Sequence, residues 1–186
     1  GGTLGGGGGE GGVTGGAPTS LQVHLSAGPG APADLLRRAV VRTLRREGVE
    51  SAELSVSLLD DDAMAALNRR WLGRPGSTDV LAFSLAAEGE LPLGDVYVGW
   101  ERAARQAAEH GVPVAEELVR LVVHGTLHVL GHDHPEGPER LESDMFRLQE
   151  ALVRELVSSG SGPGGSPDVE PAGDGGAGAP GRGGAA

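Results

Sequence analysis

Between positions 124 and 134 the chain reads His-Gly-Thr-Leu-His-Val-Leu-Gly-His-Asp-His, and few stretches of this length restrict a fold so tightly. Side chains four residues apart lie one above the other on a helix, so His124 and His128 project from one face with converging imidazoles. Gly131 can take the positive-φ conformation that ends a helix, and the reversal it permits brings His134 back toward the same point. Three nitrogens then share a site with at least one coordination position left for water. Open sites of this kind are catalytic more often than structural, because structural zinc sites are normally closed by a fourth protein ligand.

The spacing i, i+4, i+10 with glycine at i+7 matches the long zinc motif of metzincin-type hydrolases. One element is missing. The position after the first histidine, where that motif carries a general-base glutamate, is Gly125, which has no side chain to move a proton. A metal is therefore expected, while peptide hydrolysis by the usual route is not.

Composition limits where the rest of the chain can go. Residues 1–18 and 160–186 hold 22 of the 34 glycines and little apolar content, so both ends read as disordered. Residues 19–159 are of single-domain size. Removing Glu10, Asp168, Glu170, Asp174 and Arg182 with the ends leaves 22 acids against 14 arginines, so the acidic balance of the whole chain (−11) persists in the core. That balance argues against a broad electropositive nucleic-acid surface, and a polyanion has to be met by a local arginine cluster. All the basic residues are arginines, which suits bidentate phosphate contacts. Cysteine is absent, so thiolate metal sites and disulfides are excluded. No apolar run is long enough to cross a bilayer, and the first residues do not resemble a secretory signal, so a cytoplasmic protein without membrane contact is expected.

Within the core, 21–25 and 54–59 alternate as half-buried strands, with His24 on the polar side. Asp34 is placed to cap a helix that carries Leu35, Val40, Val41 and Leu44 as its apolar stripe and stops near Gly48. Aspartates 60–62 open a second helix through Met64, Leu67, Trp71 and Leu72. Two further strands, 79–85 and 95–100, flank a hairpin loop at 88–92. Helices are expected over 101–110, 114–130 and 138–157, with His110 at a helix end ahead of Gly111. The expected fold is α/β (α+β): a small mixed four-stranded sheet packed with about five helices, the metal site at a helix end and one parallel pair from the opening βαβ unit.

These blocks resemble the YbeY endoribonucleases, which act in bacterial ribosomal RNA maturation. The resemblance rests on Leu67-Asn68, Ser77-Thr78-Asp79-Val80-Leu81-Ala82-Phe83, Leu93-Gly94-Asp95-Val96, the run from His124 to His134, and Met145, in that order. It implies one zinc or similar divalent ion held by His124, His128 and His134, with Asp95 near the site. It also implies a single-stranded RNA or ribosomal RNA substrate, DNA not being expected, and ribosomal particles or proteins as partners. The family arginine that follows the aromatic after Leu-Asn is replaced by Leu72; Arg70 or Arg74 stands close enough in sequence to substitute for it. His132 occupies a position where the family commonly has tyrosine. Thr78 and Asp79 read as a strand start that hydrogen-bonds local backbone. Asp133 is a candidate to orient a ligand histidine through its ring N–H, or to stabilise the turn.

The function expected is a zinc-dependent, single-strand-specific endoribonuclease acting in 16S ribosomal RNA 3′-end processing and ribosome quality control. Asp95, Asp133 and Arg74 are its candidate catalytic residues. Two other classes share the ligand spacing: a metalloprotease-like amide hydrolase, which Gly125 disfavours, and a non-catalytic, zinc-stabilised ribosome assembly factor.

Overall fold

The computed structural model describes residues 20–160, so the expectations for the two glycine-rich ends lie outside the described residues. In chain order the elements are β1 (Leu21–Ser26), α1 (Ala33–Arg46), β2 (Ala52–Leu59), α2 (Asp61–Leu72), β3 (Val80–Ser84), β4 (Leu93–Gly99), α3 (Trp100–His110), α4 (Val114–Val129), a 3-10 turn (Pro138–Glu142) and α5 (Asp144–Gly160). The strands form one sheet in the order β1-β2-β4-β3. β1 and β2 are parallel, as a βαβ unit requires, and β4 also runs parallel to β2. β3 joins β4 as the antiparallel arm of a hairpin and becomes an edge strand.

Alternation divides the sheet into two faces. Val23, Leu54, Val56, Val96 and Val98 point into one core with Leu36, Val40 and Leu44 of α1, Leu118, Val122 and Leu127 of α4, and Leu152 and Val153 of α5. The intervening residues Glu53, Ser55, Asp95 and Tyr97 face the other way. His24 is exposed and pairs with Glu53 at 3.0 Å, as its place in the alternation predicts.

Local details depart from expectation in three places. Asp34 is not the cap of α1: the helix begins at Ala33 behind Pro32, and Asp34 lies in its first turn, where its charge still suits the helix dipole. The buried stripe of that helix is Leu36, Ala39, Val40, Thr43 and Leu44, turned so that Leu35 and Val41 are only partly covered. The helix expected over 138–157 is split at Ser143, which is extended (φ −69°, ψ 153°). Its hydroxyl donates to the Arg140 carbonyl (2.7 Å) and accepts from the Phe146 N–H (3.2 Å), ending one turn and capping α5. Asp60 does cap α2, accepting from Ala63 N–H at 2.8 Å.

α4 approaches the sheet too closely for side chains at two points. A Cβ at Gly125 would stand 2.5 Å from Val96 Cγ1 and 3.2 Å from Val80 Cγ2. One at Gly94 would stand 2.5 Å from Val129 Cγ1 and 2.6 Å from the Phe83 carbonyl oxygen. Alanine in an open helix would stabilise by ~0.5–1 kcal/mol relative to glycine, but here overpacking should reverse the sign. Gly125→Ala and Gly94→Ala are each expected to lower stability by about 1–3 kcal/mol, read from the midpoint of urea unfolding. A raised midpoint for Gly125→Ala would show that the contact is loose.

Candidate metal centre

α4 ends in a double reversal. Leu130 is the cap residue and Gly131 follows at φ +91°. The Gly131 N–H donates to the His128 carbonyl and the His132 N–H to the Leu127 carbonyl, both at 3.0 Å, a Schellman arrangement. The chain leaves the helix axis there and carries His134 back to the helix face. His124, His128 and His134 then offer ligand nitrogens that all lie within 4.8 Å of one another.

The hydrogen bonds on the far side of each ring decide what those nitrogens are. His124 Nδ1 lies 2.8 Å from Gln149 Oε1, His128 Nδ1 2.9 Å from the His132 carbonyl and His134 Nδ1 3.0 Å from the Pro135 carbonyl. Each partner is an acceptor, so in the neutral imidazoles each Nδ1 carries the proton and each Nε2 a lone pair. Gln149 is itself oriented, because its amide N–H donates to Glu150 Oε1 at 3.1 Å. The Nε2 atoms of His124 and His128 are only 3.0 Å apart. Two lone pairs facing each other at that separation repel unless a cation lies between them. The donor set therefore fits a divalent metal of borderline softness, with imidazole first ligands and ring N–H groups tied to carbonyl oxygens behind them.

Burial reinforces this. It pushes the His124 imidazole down to about 4, the Gln149 hydrogen bond opposing and the neighbouring His128 and His134 adding to the effect. Burial lowers His128 as well, against the His132 carbonyl. At neutral pH these two rings have no proton to displace before a metal binds.

A cleft of about 340 Å³ opens beside the triad, lined by His124, His134, Asp79, Gln106, Arg140 and Phe146 among others. Arg120 also borders it but is fully engaged, donating to Glu117 (2.6 Å), Glu150 (2.9 Å) and Glu116 (3.0 Å). Burial lowers its pKa and these three carboxylates more than offset that, so its charge is locked in place.

The structure brings the three histidines together and disperses the other predicted site residues. Asp95 is on the opposite sheet face from α4, because its neighbours Gly94 and Val96 are the ones packed against that helix; its carboxylate takes the Tyr97 hydroxyl at 3.4 Å. Asp133 is exposed and accepts from the His134 backbone N–H (2.8 Å), so it stabilises the turn while other acceptors orient the rings. Arg74 is exposed in the loop after α2 and is not among the residues lining the cleft. Arg70 stacks over Trp71 at 5.4 Å. His132 turns its ring to Glu47 at the end of α1 and serves the centre only through its carbonyl. His110 ends α3 ahead of Gly111, as its sequence context predicts.

Two residues of the site were not recognised as such in the sequence. Gln149 supports His124 from α5, and its signal was an uncharged polar residue in the stripe Met145, Gln149, Leu152, Val153, Leu156, all of them buried. Asp79 does open β3 as expected, accepting from Val80 N–H (2.9 Å), but its second oxygen takes Gln106 (3.2 Å) at the cleft.

A family model described as Endoribonuclease YbeY matches residues 30–157. The chain belongs to the YbeY family. It is 41% identical to the Endoribonuclease YbeY of Salinispora tropica over 157 residues, covering 76% of this chain and 99% of that one. Identity to the Endoribonuclease YbeY of Persephonella marina is 37% over 130 residues, 66% of this chain and 82% of the relative. The solution structure of a Thermotoga maritima protein, 28% identical, superimposes with a TM-score of 0.54 over 78% of this chain and 99% of the other. The YbeY endoribonuclease family supports a nuclease that hydrolyses RNA. No helix among the described residues is long and apolar enough to cross a membrane.

Two outcomes follow for this YbeY centre. An unfolded histidine titrates near 6.5, so the metal-free folded chain, with His124 held at about 4, binds that proton less readily than the unfolded chain does. Stability of chelator-treated protein should be full above about pH 6.5 and fall by up to ~3 kcal/mol as pH drops toward 4. A flat urea midpoint from pH 7 to 4.5 would contradict the burial of His124. Gln149→Leu leaves the His124 ring N–H without its acceptor and should weaken metal affinity about 10–100-fold in a competition titration, with the triad intact.

Proposed function

We propose that this YbeY-family chain is a zinc-dependent endoribonuclease that cuts single-stranded RNA during ribosomal RNA maturation, including 16S 3′-end processing and ribosome quality control. The reading places it in the cytoplasm, in contact with ribosomal particles or proteins, with residues 19–159 carrying the activity. One observation supports it most: three imidazole lone pairs converge beside an open cleft, and a cation is needed to reconcile them. Zinc held by His124, His128 and His134 would supply Lewis acidity at a phosphoryl oxygen and lower the pKa of a bound water.

The chain's own groups divide the remaining work. Arg140 borders the cleft and, unlike Arg120, is not tied up by carboxylates, so it is better placed than Arg74 to offset phosphate charge. Among the cleft carboxylates, Glu117 and Glu150 are held by Arg120, which leaves Asp79 to accept a proton in preference to Asp95 or Asp133. Position 125 faces the sheet, so the glutamate of a peptide-cleaving helix has no room there and amide hydrolysis is disfavoured.

Elemental analysis of the purified full chain should find one divalent ion per molecule. Cleavage of an unstructured RNA should fall to the level of buffer alone on chelation and return with Zn²⁺, while His128→Ala loses both metal and cleavage. Hydrolysis of casein but not RNA would overturn the reading in favour of an amide hydrolase. Full cellular function of His128→Ala would overturn it in favour of an assembly factor.

A further inference from the structure

Aromatic residues are scarce in this chain, two Trp, one Tyr and two Phe, yet three of the five form a run on one surface. Trp71 meets Phe83 with ring centroids 5.8 Å apart, and Phe83 meets Tyr97 at 6.1 Å. Phe83 and Tyr97 are on the face of β3 and β4 turned away from α4, and Trp71 reaches them from the last turn of α2. Behind it the rings are braced; outwardly Trp71 remains 59% exposed and the adjacent Leu72 49% exposed. An indole fixed against Phe83, which is itself backed by Tyr97, and left open to water has lost freedom without being buried, which is the condition of a stacking platform.

The segment that carries Trp71 is basic although the chain is acidic. Between Asp62 and Asp79 there is no acidic residue, while Arg69, Arg70 and Arg74 all fall within that span, in a chain of net charge −11. The Arg70 guanidinium lies 5.4 Å over the Trp71 ring, a cation and a π-face presented together. Asp95, beside Phe83 in the strand register, has its carboxylate engaged by the Tyr97 hydroxyl. The loop that leaves Trp71 runs through Arg74 directly into Asp79 and Val80, which line the metal cleft. The platform and the cleft are therefore consecutive stations along one short segment, separated by the edge strand β3.

We propose that Trp71, with Arg70 and Arg74, is a binding surface for unpaired RNA, where a base stacks on the indole and the arginines meet the flanking phosphates before the strand enters the cleft. This deepens the endoribonuclease reading and rests on it. Stacking on an indole is indifferent to base identity, so the surface selects single strands over duplexes without selecting a sequence.

Fluorescence anisotropy of a labelled, unstructured oligoribonucleotide with the full, metal-free chain tests this. Trp71→Ala should weaken binding roughly tenfold or more. Arg70→Gln and Arg74→Gln should each reduce the slope of log affinity against log salt by about 0.7. Arg70→Gln and Arg74→Gln should unfold at the wild-type temperature, while Trp71→Ala, which gives up its packing on Phe83, should unfold slightly lower and remain folded at the assay temperature. If the wild type binds RNA, and cleaves it once reloaded with Zn²⁺, while Trp71→Ala binds equally well and the salt slopes are unchanged, the platform is wrong and the endoribonuclease reading stands. If the wild type neither binds nor cleaves any RNA, the reading itself fails and the platform with it. A change of oligomeric state in Trp71→Ala, seen by sedimentation, would overturn the proposal by making this face a contact between copies of the chain.

Discussion

The whole site depends on how closely α4 lies against β3 and β4. Side chains normally hold a helix about 10 Å from a sheet, and here two glycines, one on each partner, remove that spacer. Gly125 fixes which side of the helix faces the sheet, and Gly94 fixes where its last turn rests. At 100° per residue, His124 is turned one way from Gly125 by about 100° and His128 by about 60° in the same sense. Both imidazoles thus emerge along one flank of the helix, against α5, instead of into the core or at the solvent pole. The same packing accounts for the absence of a glutamate at 125: a carboxylate there would be driven into Val96. Identical histidine spacing can serve different chemistries because the residue between the ligands is controlled by what the helix packs on.

Electrostatics in the centre is arranged in series. Arg120 gathers three carboxylates, one of those carboxylates takes the Gln149 amide, and the Gln149 oxygen takes the His124 ring N–H. Each member fixes the orientation of the next, so a half-buried guanidinium on α4 determines which nitrogen of His124 is free. Removing one member would leave its buried partner unsatisfied, and such losses exceed the worth of the bond itself. Such an arrangement would let an acidic protein receive a polyanion, because Arg120 offsets Glu117 and Glu150 at the cleft and leaves Arg140 beside it unpaired with carboxylates.

How much of this could be read from the residues varied with the range of the interaction. The convergence of the three histidines, the reversal at Gly131, the Asp60 cap and the order of strands and helices all follow from patterns within a turn or two, where spacing alone dictates geometry. The parallel pairing of β4 with β2 and the split at Ser143 did not announce themselves, since the first depends on a crossover and the second on a single hydroxyl that caps one helix while closing a turn. Asp95 faces away from α4 for a related reason. Its neighbours in sequence point at α4, and with a period of two residues proximity along a strand means opposition across it. Gln149, 25 residues from His124, could be assigned only once α5 was laid beside α4.

The three ring N–H acceptors come from three separate segments: a side chain of α5, the carbonyl that follows the Schellman turn, and the carbonyl of Pro135 beyond it. A cation drawing on all three Nε2 atoms would therefore join the end of α4, the 131–135 loop and α5 in one unit. The loop has few apolar anchors, with Gly131, Asp133, Pro135 and Glu136 all exposed. Its order must come from hydrogen bonds and ligation, not from burial. The hydrogen bonds alone leave the Nε2 lone pairs of His124 and His128 opposed at 3.0 Å on α4, with His134 carried to the same point by the loop. Ligation would turn that repulsion into attraction and, through His134, tie the least buried segment of the site to α4, so that metal binding and local ordering would be one event.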